Sequence, residues 1–475
     1  MPIAADRRRR ALPVLALLVG LGCLTACGSD PVEPDGSASV GPDDASASSE
    51  PSSTGAPNAR IDPTTTPVPG APAAPTTPRP VHPDVASSLQ AVLDERAAAV
   101  LAHDEDRFRR VLTPGGELAT TESGYFANVT QLPLSAFSYR LLPESLVRLD
   151  DDYWGVVELT TRLGAFDRAP VRTLDRFRFT PTRSGFAISA TTDAEWEREH
   201  LGRPEPWDVD DAGQVRDLTV VSAPGVLGVF DAGTAPLGPR TARIASAALA
   251  DIASRVPYAW PRATAFYALS DPGYLDGFDR LPGGDPQALD AIAFTVAAGP
   301  DDATVASERF TLSPAATGLL GQRRPGDLAR LVRHELAHVA VGTHDDAAPV
   351  WLREGVAEWL SMQAVPAPRW RVPARIVAEA RDRRLTMPTD AAFNGAGAAA
   401  HYALGWWVCE WIVRQRGEQT LWALLDGFAG AAQDPSGETA VLRRHLGLTV
   451  DQLARRGAAL MVREIAEPST PRLAG

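Results

Sequence analysis

His334-Glu335-Leu336-Ala337-His338, followed by Trp351-Leu352-Arg353-Glu354-Gly355-Val356-Ala357-Glu358, decides the reading of this chain. Residues four apart lie on one face of a helix, so His334 and His338 can reach a single metal ion. Zinc accepts nitrogen and oxygen ligands in a tetrahedron, and a catalytic site leaves one position for water. Two imidazoles leave such a site one protein ligand short, and Glu354 offers the third. Glu335, between the histidines, then stands where a base can take a proton from that water. A bare HExxH also arises by chance, on helices with two polar histidines and a solvated glutamate, so the context has to be weighed.

That context is helical. Asp327, after Pro325-Gly326, is the expected N-cap, and Gly342 the expected stop. Between them Leu328, Leu331, Val332, Leu336, Val339 and Ala340 form an apolar stripe at helical spacing. A second helix is expected from near Pro349, with Glu354 and Glu358 on one face. Trp351, Leu352, Val356, Trp359 and Leu360 cover the rest of it. Helices joined by a short loop pack side by side, which brings Glu354 towards the histidines. His344 competes for the third ligand place, because it follows His334 at the spacing of an HExxHxxGxxH pattern. That pattern requires Gly where this chain has Val341, and its methionine turn requires a Met where Met362 falls inside the second helix. Glu354 is therefore preferred.

The two runs resemble the gluzincin metallopeptidases, in particular the aminopeptidase-like group with Trp-Leu-x-Glu-Gly after HExxH. The resemblance is sharpest over residues 327–363, looser to 465, and does not reach residues 1–210. It implies that His334, His338 and Glu354 are ligands of a Zn2+ cofactor and that Glu335 is the general base. Glu358, one turn on, would orient a ligand histidine; its alternative is a charged helix-surface residue. The gap from HExxH to Glu354 is a few residues shorter than usual, but the flanking Trp-Leu-Arg and Gly match around Glu354. Such peptidases also place an oxyanion donor on a later helix. In Ala400-His401-Tyr402-Ala403-Leu404-Gly405-Trp406-Trp407 the first candidate is Tyr402 and the second His401, packing being the alternative role for the Tyr. The implied activity is hydrolysis of peptide or protein substrates. No Gly-x-Met-Glu-Asn-like segment is present, which weighs against an aminopeptidase mode. Beside this stand a binding or scaffolding lipoprotein working through its N-terminal domain, with zinc structural or lost, and an enzyme restrained by that domain.

The N-terminus reads as an export signal over residues 1–26. Arg7 to Arg10 are its basic region and Leu12 to Leu21 an apolar run too short to span a bilayer well. Leu24-Thr25-Ala26-Cys27 resembles the bacterial lipobox, which implies a lipid on Cys27 and a location on the outer face of the cell membrane. Of the three cysteines, Cys23 leaves with the signal and Cys27 carries lipid, so Cys409 has no disulfide partner. Residues 27–83 are rich in Pro, Ser and Thr and are expected to form a disordered tether. All 46 basic residues are arginine, and the formal charge of −13 argues against a nucleic-acid partner.

The fold class expected is α+β, in two domains. Residues 84–210 read as a cystatin-like α+β domain. A helix over 84–110 precedes strands at Ser138–Leu142, Ser145–Leu149, Tyr153–Arg162, Val171–Thr180 and Gly185–Thr191. Phe126 and Trp154 are its candidate pocket residues, core being the alternative. Residues 211–465 read as the metallopeptidase-like domain, with strands before the HExxH helix and a helical C-terminal half; the gluzincin resemblance implies that these strands form a mixed sheet. Its strands are expected at Leu218–Val221, Val226–Phe230, Ala263–Leu269, Ala291–Val296 and Ser307–Leu312, with a helix at Pro239–Ile252 and a loop at Asp271–Asp290. Residues 466–475 are a flexible tail.

Overall fold

A computed structural model of the protein describes residues 17–19, 82–200, 205–209, 213–271, 290–300, 302–322, 324–431 and 434–466. Cys27, almost all of the tether, the body of the Asp271–Asp290 loop and the tail beyond residue 466 lie outside the described residues. The first described segment, Leu17–Val19, is a short strand, β1.

Leu89, Leu93, Ala97 and Val100 bury one side of α1 (Pro83–Ala102). The predicted helix over 84–110 does not run through. His103 turns left-handed at φ 54°, and the Asp104 side chain accepts from the Arg107 amide to start a separate α2 (Glu105–Arg110). A short polar side chain that bonds nearby backbone competes with helix continuation, which is the reason for the break. α3 (Gly116–Val129) went unforeseen, because its polar residues hide a buried face of Tyr125, Phe126 and Val129. Strands β2 (Ala136–Leu141), β3 (Val147–Leu149), β4 (Asp152–Arg162), β5 (Val171–Thr182) and β6 (Gly185–Ala190) then form an antiparallel sheet ordered β2-β4-β5-β6, with β3 also on β4. α4 (Ala194–His200) follows. Phe126 is core, whereas Trp154 is half-buried, with the guanidinium groups of Arg176 and Arg178 at 5.2 and 5.5 Å from its ring centre.

The second sheet contains β7 (Leu218–Ala223), β8 (Val226–Asp231), β9 (Thr264–Ala268), β10 (Ala291–Gly299) and β11 (Asp302–Leu312), in the order β1-β10-β11-β9-β8-β7. It is mixed: β9 runs parallel to both β8 and β11, and the other pairs are antiparallel. The crossover from β8 to β9 is α5 (Gly238–Ala253).

Alternation along these strands sets the layers. Val226 and Phe230, Phe266 and Ala268, and Ala291 and Ala293 belong to one buried cluster with the helices. Leu227 and Val229, Ala265 and Tyr267, and Ile292 and Phe294 belong to another, shared with Leu89, Phe108, Phe126, Phe177 and Phe179 of the first half. A sheet that is apolar on both faces needs two covers. The N-terminal half is one, and the helical half is the other.

The helical half follows as α6 (Pro314–Gly321), α7 (Pro325–Val341), α8 (Val350–Met362), α9 (Ala374–Arg381), α10 (Asp390–Phe393), α11 (Ala398–Arg416), α12 (Glu418–Phe428), α13 (Pro435–Leu446) and α14 (Val450–Ala466). The chain is thus mixed α+β. Among the described residues, no helix is long and apolar enough to cross a membrane. Asp327 is not the N-cap of α7. Pro325, with its fixed φ, starts the helix three residues earlier than an Asp327 cap would, and Asp327 pairs with Arg324 in the first turn.

Candidate metal centre

Helix α7 carries HExxH with every residue from Leu331 to Val341 buried, and α8 returns alongside it after a turn at Gly342. Gly342 has φ 56°, a backbone region that favours glycine and explains the stop at this position. The fold brings three ligand atoms together. His334 Nε2 lies 3.2 Å from Glu354 Oε2, His338 Nε2 lies 3.1 Å from His334 Nε2, and His338 Nε2 lies 3.7 Å from Glu354 Oε2. Four ligands at the usual zinc bond lengths stand about 3.3 Å apart at the corners of a tetrahedron, so the triangle has the size of one face. Among the described residues this is the one group of His, Cys, Asp and Glu side chains that converges closely enough to hold a metal ion.

The donor chemistry fits as well. The two ring nitrogens face each other at 3.1 Å and share one carboxylate oxygen, an arrangement that a cation among them suits. Burial opposes ionisation of Glu354, but the hydrogen bonds and charge of His334 and His338 more than offset it and hold the carboxyl well below its usual range. Burial likewise opposes charge on His334, yet Glu354 and Glu358 raise it. His338 is pushed down, by burial first.

Glu358 stands directly behind the triangle. Its Oε1 is 3.1 Å from Nδ1 of His334, off the line of an aligned hydrogen bond, and its Oε2 accepts from Arg330 at 2.7 Å. It is buried, so the solvated helix-surface alternative does not describe it. Glu335 is fully buried; neither carboxylate oxygen makes a well-aligned hydrogen bond, and the backbone N–H of Ala293 on β10 lies against it. Burial pushes it up to about 8, with the His334 charge working the other way.

A close helix crossing brings in Tyr402. A Cβ on Gly355 would stand 2.8 Å from the Gly405 carbonyl oxygen and 2.9 Å from Cys409 Sγ, and one on Gly405 would stand 3.0 Å from the Trp351 carbonyl oxygen. Glycine at both positions therefore lets α8 and α11 touch backbone to backbone. One turn from that contact, the Tyr402 ring lies 6.2 Å from the His334 ring, and its hydroxyl donates to Asn394 at 3.0 Å. Burial, and then the Glu354 charge, push the phenol well above its usual value, so it stays a neutral donor.

Two other candidates are placed elsewhere. His401 Nδ1 is 2.7 Å from the Phe393 carbonyl oxygen, outside the ligand group. His344 is exposed and stacks flat on Tyr258, 3.9 Å between ring centres. Cys409 is a free, buried thiol.

Sequence reasoning passed over a recess beside the triangle. It is lined by His338, Gly342, Asp345 and Asp346 on one side and by Ala293, Thr295 and Glu308 of the β10–β11 hairpin on the other. Burial pushes both Glu308 and Asp345 up to about 7. These residues lie on three separate elements with no shared motif, and their one sequence signal was the acidic pair after His344.

No protein-family model matches the chain, and neither a curated protein nor a solved structure does.

Proposed function

We propose that this protein is a zinc-dependent peptidase of the gluzincin type, exported and held by lipid on Cys27 at the outer face of the cell membrane. The observation that carries the reading is Glu335. A metal held only for structure requires three or four ligands and no more. Here a fully buried carboxylate with no well-aligned hydrogen bond stands next to the ligand triangle, which is a destabilising arrangement unless the group works.

A set of two histidines and one glutamate suits catalytic zinc, which when bound acidifies a water and polarises a carbonyl. Glu335 would take a proton from that water and return it to the leaving amine. The Tyr402 hydroxyl is the donor for charge developing on the carbonyl oxygen. Glu358, backed by Arg330, holds the His334 ring in orientation. An extended peptide would lie along β10, whose outer edge pairs with β1 in the full chain. A strand added there gains main-chain hydrogen bonds without demanding a particular sequence. The anchor rests on the basic and apolar run before Cys27. The charge of −13 favours a peptide over a nucleic acid.

The test is elemental analysis of the purified chain. We expect about one zinc per chain, retained in His344→Ala and Glu335→Gln and lost in Glu354→Ala. Glu335→Gln should cut peptide hydrolysis by about 10²–10⁴-fold. A folded wild-type chain without zinc refutes the reading and turns attention to the N-terminal half as a binding surface.

A further inference from the structure

Around α9 this acidic chain turns basic. Residues 366–384 hold six arginines against two acids, Glu379 and Asp382, a net charge of +4 in a chain whose total is −13. Among the described residues, one of the six meets a carboxylate: Arg384 pairs with Asp382 at 3.0 Å, and both side chains are exposed. Arg371 donates to the carbonyl oxygens of Pro368 and Trp370. All six arginines are exposed.

Folding does not account for most of them. The Trp370 ring packs edge-on against Trp406 and Trp407 of α11, and its indole N–H donates to the Val365 carbonyl oxygen. Arg369 and Arg371, on either side of it, stay outside that contact. α9 buries Ile376, Val377 and Ala380 and packs chiefly on α14, which leaves the side of Arg375 and Arg381 uncovered. A helix N-terminus carries partial positive charge and disfavours cations. Arg375 nevertheless lies in the first turn of α9, Arg369 and Arg371 precede it, and that turn holds no acid. Arg383 has a left-handed backbone at φ 59°, just past the helix, where glycine fits better. Arg381 and Arg384 alone stand where the helix dipole favours a cation.

Such a surface fits a repeating array of anionic groups. A single small anion is held by buried, converging donors, and these guanidinium groups are exposed and spread along the segment. Guanidinium binds phosphate through two parallel hydrogen bonds, so the phosphate layer of an anionic bilayer suits them. In physiological salt, charges more than about 8 Å away are largely screened. The local excess of arginine therefore decides what an approaching surface meets, and the total charge does not.

We propose that Arg369, Arg371, Arg375, Arg381 and Arg383 form a docking surface for anionic phospholipid headgroups. The binding does not rest on the peptidase reading. In the export reading it adds to the lipid on Cys27. A coil over residues 27–83 spans roughly 40 Å, so the lipid keeps this surface near the bilayer, and a weak attraction is enough to orient the folded body.

Vesicle flotation tests this with the chain from residue 27 onward carrying Cys27→Ser, so that neither leader nor lipid contributes. Of the described structure this removes only β1, since α1 begins at Pro83. The vesicles are phosphatidylcholine, with or without phosphatidylglycerol. We expect binding to the anionic vesicles to be at least about 10-fold tighter at low salt, and the difference to vanish at ~0.5 M salt. Arg369→Gln, Arg371→Gln and Arg375→Gln together should abolish it. Arg240→Gln, Arg243→Gln and Arg255→Gln together remove the same charge from exposed positions on and just after α5, and should keep it. Circular dichroism checks that all three chains are folded. If loss of β1 unfolds the chain, the same comparison is made with the full chain bearing Cys27→Ser, in which the contribution of the leader is common to all three. Equal binding to the two kinds of vesicle, or a like loss in both triple variants, overturns the surface. Capture by long-chain polyphosphate without vesicle binding also overturns it, in favour of a soluble polyanion.

Discussion

At the scale of single residues, the candidate centre shows how much one carboxylate depends on its surroundings. Glu354, Glu335 and Glu358 are all buried within one small volume, yet their environments differ. Glu354 meets two imidazoles and is held low; Glu335 has no well-aligned hydrogen bond, and burial pushes it up to about 8. Glu358 is shared between Arg330 and His334, and is lowered although burial works against it. Because a residue behind a metal ligand sets that ligand's orientation and basicity, Glu358→Gln should weaken zinc affinity by about 10–100-fold. A chelator competition assay reads this directly. An unchanged affinity would reduce Glu358 to a partner of Arg330.

At the scale of elements, the site depends on the contact between α8 and α11. Gly355 sits immediately after a proposed ligand, and Gly405 sits three residues after Tyr402. Their backbones approach so closely that a methyl group at position 355 meets carbonyl oxygen and sulfur inside 3.0 Å. Neither backbone oxygen nor the buried Cys409 can move aside cheaply. Gly355→Ala should therefore cost about 1–3 kcal/mol through overpacking, and should impair turnover more than metal binding, because Tyr402 moves away from the triangle. Denaturant unfolding together with zinc content checks both halves of that expectation. Stability at the wild-type level would mean that the crossing is looser than these distances show.

At the scale of the whole molecule, the N-terminal half is built into the sheet that carries the site. Arg309 on β11, 1 % exposed, pairs with Asp167 of the N-terminal half at 2.9 Å and with Glu205 at 2.7 Å, and also donates to Tyr267. Removing one partner of a buried ionic group leaves the others uncompensated, so Arg309→Ala should cost about 3–5 kcal/mol. The two halves should unfold in one transition, followed by calorimetry. A chain beginning at residue 211 would expose Leu227, Val229, Tyr267, Ile292 and Phe294 together, and should aggregate rather than gain activity. A soluble and more active fragment would instead support restraint by the N-terminal half.

The HExxH helix, its partner helix and the strands of the second sheet were legible in the sequence, because helical and strand periodicities are local and the chemistry sits on regular elements; the mixed strand direction was implied only by the resemblance. The choice of Glu354 over His344 also followed from local pattern, although only the packed helices show three ligand atoms within 4.8 Å. The break at His103, the helix over Gly116–Val129 and the start of α7 at Pro325 escaped that reading. Each turns on capping, chain direction or a face whose burial depends on a distant neighbour. The two-faced sheet, the Gly355–Gly405 contact and the acidic recess were decided by tertiary structure alone. They join residues far apart in the chain, and no spacing along a sequence encodes which surfaces will meet.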